Sequence, residues 1–271
     1  KLKIPVFTTQ FNTEVFAKKN KQSTQIAARS LRYSWFQKLE KEHSFDYVLT
    51  AHHADDNLET FLINLTRGTG LEGLTGIPEI NGRIVRPLLK FSRKEILTFI
   101  KENKIEWRED KSNAQTKYIR NKIRHKVVPF LKEINPSLLN TFAKTAEYLK
   151  ESQHILEDRI KKVATEVLTV NENTIAINIQ KVEKLSNPKA YLYQLLKAYN
   201  FTEWNDVYNL PSAQSGKQVL SKTHTLLKDR GSLVLFKNIC PNNIETIFIQ
   251  ENELEITKPI HLKIENVIEK S

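Results

Sequence analysis

The sequence predicts an α/β protein: a parallel-sheet domain first, then a smaller, mainly helical domain with C-terminal strands. Three observations predict it. Over residues 1–110, short apolar runs alternate with stretches whose apolar residues recur at helical spacing, the pattern of strands and helices wound into a parallel sheet. A long helical pattern follows, from residue 136 to about residue 168. Beyond it, helical spacing gives way to alternation suited to strands. A chain of 271 residues can hold two ordinary domains. The expected divisions are residues 1–135, a linking helix over 136–170, and a second domain over 171–271.

In order, residues 1–16 read as a strand and a loop. Residues 23–43 read as a helix, with Ile26, Leu31, Trp35, Phe36 and Leu39 along one side and Arg29 and Arg32 near it. Residues 45–50 form an apolar run that reads as a buried strand. Leu58, Phe61, Leu62 and Leu65 then stand at positions i, i+3, i+4 and i+7, so a helix begins near Asp55. It should stop at Gly68, a residue able to take the left-handed conformation after a helix end. Four of the seven glycines fall at Gly68, Gly70, Gly73 and Gly76, where backbone N–H groups could approach a ligand or simply turn the chain. Residues 83–86 read as a short strand ended by Pro87. Ser92-Arg93-Lys94-Glu95 is a capping box opening a helix. Residues 105–107 read as another short strand. Asn135-Pro136 starts the long helix, and residues 185–200 give a second helical piece. Residues 232–236 read as a strand, and Ile247, Ile249, Leu254 and Ile256 suggest strands over 244–268.

Composition narrows the function. Hydrophobic content of 39% with only 7 Gly and 9 Pro fits an ordered globular chain. No apolar stretch approaches the ~20 residues a membrane helix needs, and no signal peptide is visible, so no membrane association is expected. One cysteine, Cys240, excludes an internal disulfide and any Cys-x-x-Cys site and favours a cytoplasmic setting. Net charge is +11. Residues 1–135 carry 25 Lys+Arg against 15 Asp+Glu, whereas residues 136–271 carry 17 against 16. The excess lies in the first half, which suggests a polyanionic substrate; a generally basic proteome or a solubility surface is the plainer alternative.

The chemistry concentrates in Thr50-Ala51-His52-His53-Ala54-Asp55-Asp56-Asn57-Leu58-Glu59-Thr60, where a strand hands over to a helix. In α/β proteins that is the mouth of the sheet, where ligands bind. Asp56 and Glu59 are three apart on the first helical turns, so their carboxylates can face one pocket. They could hold Mg²⁺, which takes oxygen ligands, or a cationic substrate group; equally, Asp55 and Asp56 could simply favour a helix N-terminus. Seven histidines in unlike contexts do not suit a His-rich metal hydrolase. Arg29 and Arg32, three apart, suit phosphate, and so does the set Arg120, Arg124 and Lys126. Solvated helix faces are the plainer reading of both.

These residues resemble those of tRNA(Ile)-lysidine synthases. The resemblance rests on Gln25-Ile26-Ala27-Ala28-Arg29-Ser30-Leu31-Arg32-Tyr33, the histidine–acid stretch above, Arg67-Gly68-Thr69-Gly70-Leu71-Glu72-Gly73-Leu74, Arg86-Pro87-Leu88-Leu89, and Asp110-Lys111-Ser112-Asn113 with Arg120-Asn121-Lys122-Ile123-Arg124. It is strong over residues 20–136 and weaker over 137–240, where Ser215-Gly216-Lys217 and Asp229-Arg230 resemble the family's second domain. It implies an N-type ATP pyrophosphatase (adenine nucleotide alpha hydrolase-like) fold over 1–135 and a tRNA-binding, substrate-recognition domain over 171–271. In that family ATP adenylates the C2 oxygen of the wobble cytidine of a CAU-anticodon tRNA(Ile). The amine of L-lysine then displaces AMP, giving lysidine.

By resemblance, His52, Asp56, Arg29 and Arg120 are catalytic, and Asp56 and Glu59 bind lysine. Arg29, His52, Gly68 and Gly70 meet the nucleotide; Arg32, Arg120, Arg124 and Lys126 meet tRNA; Asp55 and Asp56 hold Mg²⁺. Asn57 stands where many members have Gln. The expected cofactors are ATP and Mg²⁺, the partners tRNA(Ile) and L-lysine, and a homodimer is allowed. The family's Ser-Gly-Gly-x-Asp-Ser loop, which cradles pyrophosphate, is not found between Lys1 and Ser271; it would lie upstream of Lys1, and a polypeptide without it is expected to be inactive. The alternatives are another ATPase of this fold modifying tRNA, which the single cysteine disfavours for thiolation, and a non-catalytic tRNA-binding fragment.

Overall fold

The computed structural model describes residues 4–108 and 119–238, with the backbone of residues 255–256 and 262–263. The chain divides into two units, Lys1–Glu157 and Asp158–Ser271.

The first unit opens with a helix where strand and loop are expected. Asn12 accepts from the Val15 N–H and starts α1 (Thr13–Lys19). Ser23 caps α2 (Thr24–His43), which ends at Ser44 in the left-handed conformation. Only Ala27 of α2 is fully buried; Ile26, expected inward, is 55% exposed, while Leu31, Trp35, Phe36 and Leu39 are half-buried. The strand expected over 45–50 contracts to β1 (Val48–Leu49). Next come α3 (Ala54–Arg67) and the single turn α4 (Leu71–Leu74). Strands β2 (Ile80–Asn81) and β3 (Ile84–Val85) follow, and Gly82, at a φ of 59°, turns one into the other. The sheet runs β1-β3-β2: β1 and β3 are parallel, as expected, but β2 is antiparallel to β3. Residues 105–107 form no strand. A two-residue hairpin turn reverses the chain locally, which outweighs any pattern that would send it through a parallel crossover.

Helix α5 (Arg93–Glu102) begins at Ser92 with the expected capping box to Glu95. Helix α6 (Ile119–Lys122) passes through a π turn, Ile123–Val127, into α7 (Val128–Ile134). The 30-residue α8 (Leu138–Val167) follows. Leu58 and Ile63 of α3 pack with Ile123, Val128, Phe142 and Ala146 to form this unit's core. Helix α3 is thus buried along one side and leaves its N-terminal turn at the end of β1.

The second unit is built on a five-stranded antiparallel sheet: β4 (Leu168–Val170), β5 (Thr174–Asn178), β6 (Gln218–Leu220), β7 (His224–Asp229) and β8 (Ser232–Lys237). Its order is β4-β5-β8-β7-β6. Between β5 and β6 lie α9 (Ile179–Glu183), α10 (Pro188–Leu196) and α11 (Trp204–Asn209). Two strands therefore precede the helices, in addition to those expected after them. Val163 and Val167 pack with Ile177, Leu196, Val207, Leu226, Leu233 and Leu235 in the core. The backbone of β9 (Glu255–Ile256) pairs with β10 (Leu262–Lys263). Ile247, Ile249 and Leu254 lie outside the described residues.

Candidate functional site

The site forms where β1 ends. Thr50 completes the strand's pairing, donating its N–H to the Val85 carbonyl at 3.0 Å. Two residues on, His52 Nδ1 lies 2.9 Å from Thr50 Oγ1, which fixes the ring. Burial holds the His52 pKa below the ordinary histidine value; Arg86, Arg120 and Arg29 press it the same way, while Asp56 opposes them. His52 is therefore a neutral imidazole at neutral pH, in a field made by three of the arginines in the sequence motifs.

His53 caps α3. Its backbone N–H donates to Asp56 Oδ2 at 3.1 Å, while its Nδ1 accepts from the Asp56 N–H at 3.4 Å. The cap turns Asp55 and Asp56 to different neighbours. Asp55 Oδ2 accepts from the Arg93 N–H at 2.8 Å and Oδ1 from Lys132 Nζ at 2.6 Å. Burial disfavours the charge on Asp55, but these two donors overcome it and hold its carboxyl below the usual range. Asp55 thus ties the start of α5 and the end of α7 to the start of α3.

Asp56 and Glu59 share one cation. Arg124 donates from Nε to Glu59 Oε1 at 2.6 Å, from Nη2 to Glu59 Oε2 at 2.8 Å, and from Nη2 to Asp56 Oδ1 at 2.9 Å. Arg120 lies beside it, its Nε 3.4 Å from Glu59 Oε2 and its Nη2 donating to Thr60 Oγ1 at 2.6 Å. Glu59 is 1% exposed. A bidentate pairing of this kind is strong and geometrically specific, and it raises the Arg124 pKa above the ordinary arginine value. Arg120 and Arg124 do share a face, as their spacing implies, but that face meets α3. The π turn carrying Arg124 is the kind of local widening that recurs at functional sites.

Several expected roles sit uneasily with this arrangement. Arg124, expected on tRNA, points inward. Glu59, expected on lysine, has both oxygens committed to Arg124. Mg²⁺ at Asp55 and Asp56 would share oxygens that each already accept one hydrogen bond, from Lys132, Arg93, Arg124 and His53, and that each keep a further lone pair. Among the described residues no group of three or more His, Cys, Asp and Glu side chains could hold a metal ion. Gly68 ends α3 and Gly70 precedes α4. Both lie at the far end of a 14-residue helix, about 21 Å from the turn that His53 caps, so the expected grouping of these glycines with His52 does not form. Gly76 lies nearer that turn. With a φ of 78°, it passes so close to Asn57 Oδ1 that a Cβ would collide with it, and the same oxygen accepts from the Ile77 N–H at 2.6 Å. Arg29 stacks over Tyr33, 4.7 Å from its ring centroid, and Arg32 and Lys126 are exposed. Asp110-Lys111-Ser112-Asn113 and Tyr118 lie outside the described residues.

Sequence reasoning missed Thr50, Arg93, Lys132 and Arg86. The last is 5% exposed, with Nη1 donating to the Pro78 carbonyl at 2.7 Å and Nε without a partner. Arg86 was visible within Arg86-Pro87-Leu88-Leu89. Lys132 carried no local signal, since its partner Asp55 is 77 positions away.

Residues 1–131 match the model of a PP-loop domain, and residues 170–238 match that of a TilS substrate binding domain. The tRNA(Ile)-lysidine synthase of Bacteroides thetaiotaomicron is 36% identical over 258 residues, covering 94% of this chain and 59% of the relative. That of Parabacteroides distasonis is 38% identical over 234 residues, covering 86% and 53%. That of Thermosipho africanus is 43% identical over 159 residues, covering 59% and 37%. The chain spans little more than half the length of the first two. Among solved structures, a U34-tRNA thiolase from Methanococcus maripaludis aligns with a TM-score of 0.38 at 16% identity over 46% of this chain and 43% of that one, too distant to carry an argument. The two matched domains in their order, with relatives this similar over most of the chain, show that the chain belongs to the tRNA(Ile)-lysidine synthase family.

Proposed function

We propose that this protein joins L-lysine to C2 of the wobble cytidine of a CAU-anticodon tRNA(Ile), using ATP. The observation that carries this reading is the convergence on His52 of Arg29, Arg86, Arg120 and Asp56 at the end of β1, within a PP-loop domain whose relatives are tRNA(Ile)-lysidine synthases. The reaction balances in two steps. The cytidine C2 oxygen attacks the α-phosphorus of ATP and releases diphosphate. The lysine side-chain amine then attacks C2, AMP leaves with that oxygen, and the amine gives up a proton.

The chain's own residues fit parts of this chemistry. Arg29 and Arg120 offer guanidinium groups to a phosphate that gains charge. His52 has Nδ1 held by Thr50, so Nε2 is the nitrogen available to face a ligand, and a neutral imidazole can accept the proton the amine loses. Asp56 supplies negative charge toward the lysine ammonium. Mg²⁺ is assigned to the ATP phosphates with Asp55 and Asp56 as the nearby carboxylates, since Mg²⁺ is commonly held by one or two carboxylates together with substrate phosphates and water. The second unit is assigned to substrate recognition, and Arg32 and Lys126 to tRNA phosphates.

The test is transfer of radiolabelled lysine to tRNA(Ile) bearing CAU by the full-length protein, with and without ATP. The expected result is ATP-dependent labelling that is absent with elongator tRNA(Met). Binding of tRNA without labelling under any condition would overturn the reading in favour of a non-catalytic RNA-binding relative.

A further inference from the structure

We propose that the cleft between α5 and α7 is a track for the sugar–phosphate backbone of the tRNA, gripped by Lys94 and Lys101. The inference rests on the tRNA reading above and extends outward from the site already described, since His53 and Arg124 also line the cleft. The cleft has a volume of about 670 Å³ and is lined on one side by Lys94, Leu97, Thr98 and Lys101 of α5. These four stand at i, i+3, i+4 and i+7, so they form one continuous helix face. Val128, Pro129 and Lys132 form the facing wall, and Asp55 and Glu59 lie at its base.

The charges decide what the cleft accepts. Its two carboxylates are neutralised within the protein: Asp55 by Lys132 and Glu59 by Arg124. Lys94 and Lys101 are exposed, and neither makes an ion pair among the described residues. The net field at the mouth is therefore positive. Lys94 and Lys101 are two helical turns apart, about 10.5 Å along the axis. That separation suits two different phosphates of one extended strand better than a single phosphate. Leu97, Val128 and Pro129 provide apolar contact for ribose between the charges. An RNA strand meets all three conditions, and the proposed reaction brings one to this domain.

The experiment uses the full-length protein with Lys94→Glu/Lys101→Glu and the milder Lys94→Gln/Lys101→Gln. Both positions are exposed, so folding should be unaffected; circular dichroism checks this. Affinity for tRNA(Ile) is measured across a salt series. The expected result for the charge reversal is a loss of at least tenfold in affinity. The neutral variant should give a salt dependence shallower by about 1.4 to 1.8 in log–log slope, the share of two phosphate contacts. Lysine transfer at saturating tRNA, and the KM values for ATP and lysine, should not change. Unchanged affinity and slope would overturn the proposal even if lysidine is formed normally. Reduced affinity and slope in a protein that forms no lysidine would support the track while overturning the reaction. Loss of an acidic protein ligand with tRNA binding intact would also overturn it.

Discussion

Glu59→Gln removes half of the most deeply buried ion pair described in the first unit. The Glu59 side chain is 2% exposed and that of Arg124 21%. The wild-type carboxylate accepts two short hydrogen bonds, at 2.6 and 2.8 Å, from one guanidinium. Deleting one partner of such a pair typically costs 3–5 kcal/mol, because it strands the other charge. Arg124 keeps Asp56 at 2.9 Å and some water, so the lower end applies: about 3 kcal/mol. Arg124→Met leaves Glu59 facing, among the described residues, only Arg120 at 3.4 Å and should cost about 4 kcal/mol. The double variant Glu59→Leu/Arg124→Met replaces the pair with apolar groups of similar size, and should cost no more than either single change, as buried pairs often behave. The assay is native-state hydrogen exchange of α3 amides in urea, which reads the first unit directly. Two outcomes would refute the reasoning: a Glu59→Gln cost below about 1 kcal/mol, as for an exposed pair, or single-variant costs that simply add.

The remaining predictions concern pH, binding and packing. The folded His52 pKa is lowered, so its contribution to stability is complete above the unfolded value near 6.5 and is lost as pH falls through the lower folded value; His52→Asn should flatten urea stability between pH 7 and pH 5, and an unchanged profile would contradict the assignment. Asp55 is depressed instead, so its contribution is present above about 3.9 and is lost as pH falls through the folded value. Asp55→Asn should lower stability at pH 7 by about 2 kcal/mol, the scale of hydrogen bonds to a charged group, with the difference shrinking under acid in a pH-resolved thermal melt. Asp56→Asn should raise the KM for lysine far more than that for tRNA in the transfer assay; equal effects would remove Asp56 from lysine binding. Leu226→Ala, at a fully buried position of β7, should cost about 2–5 kcal/mol, measured by urea unfolding of the second unit.

The relation between local signal and final role differs across the site. Capping is local, and it was legible: Ser92 and Glu95 form the box their spacing implies, and α3 starts within one residue of the expected Asp55. Arg29 and Arg120 were legible as site residues, and they act on His52 together with Arg86, which stood in a motif without an assigned role. Direction was not legible. Arg120 and Arg124 read equally well as a solvated face or a phosphate-binding face, whereas their actual partners are Thr60, Glu59 and Asp56, more than 55 positions away in sequence.

The family, the handover from β1 to α3, the long helix α8 and the concentration of positive charge in the first half were all readable from the amino-acid order alone. These follow from short-range spacing and composition, which the chain carries wherever it folds. Tertiary structure alone decided which charges are neutralised. Docking α6, the π turn and α7 against α3 buries Glu59 and brings Arg124 and Lys132 onto the acids, because a buried carboxylate must find a partner. Packing likewise decided that Asp55 anchors helices, and that Lys94 and Lys101 line an open cleft. Such pairings depend on which helix faces meet, and that is a property of the folded chain and not of any segment within it.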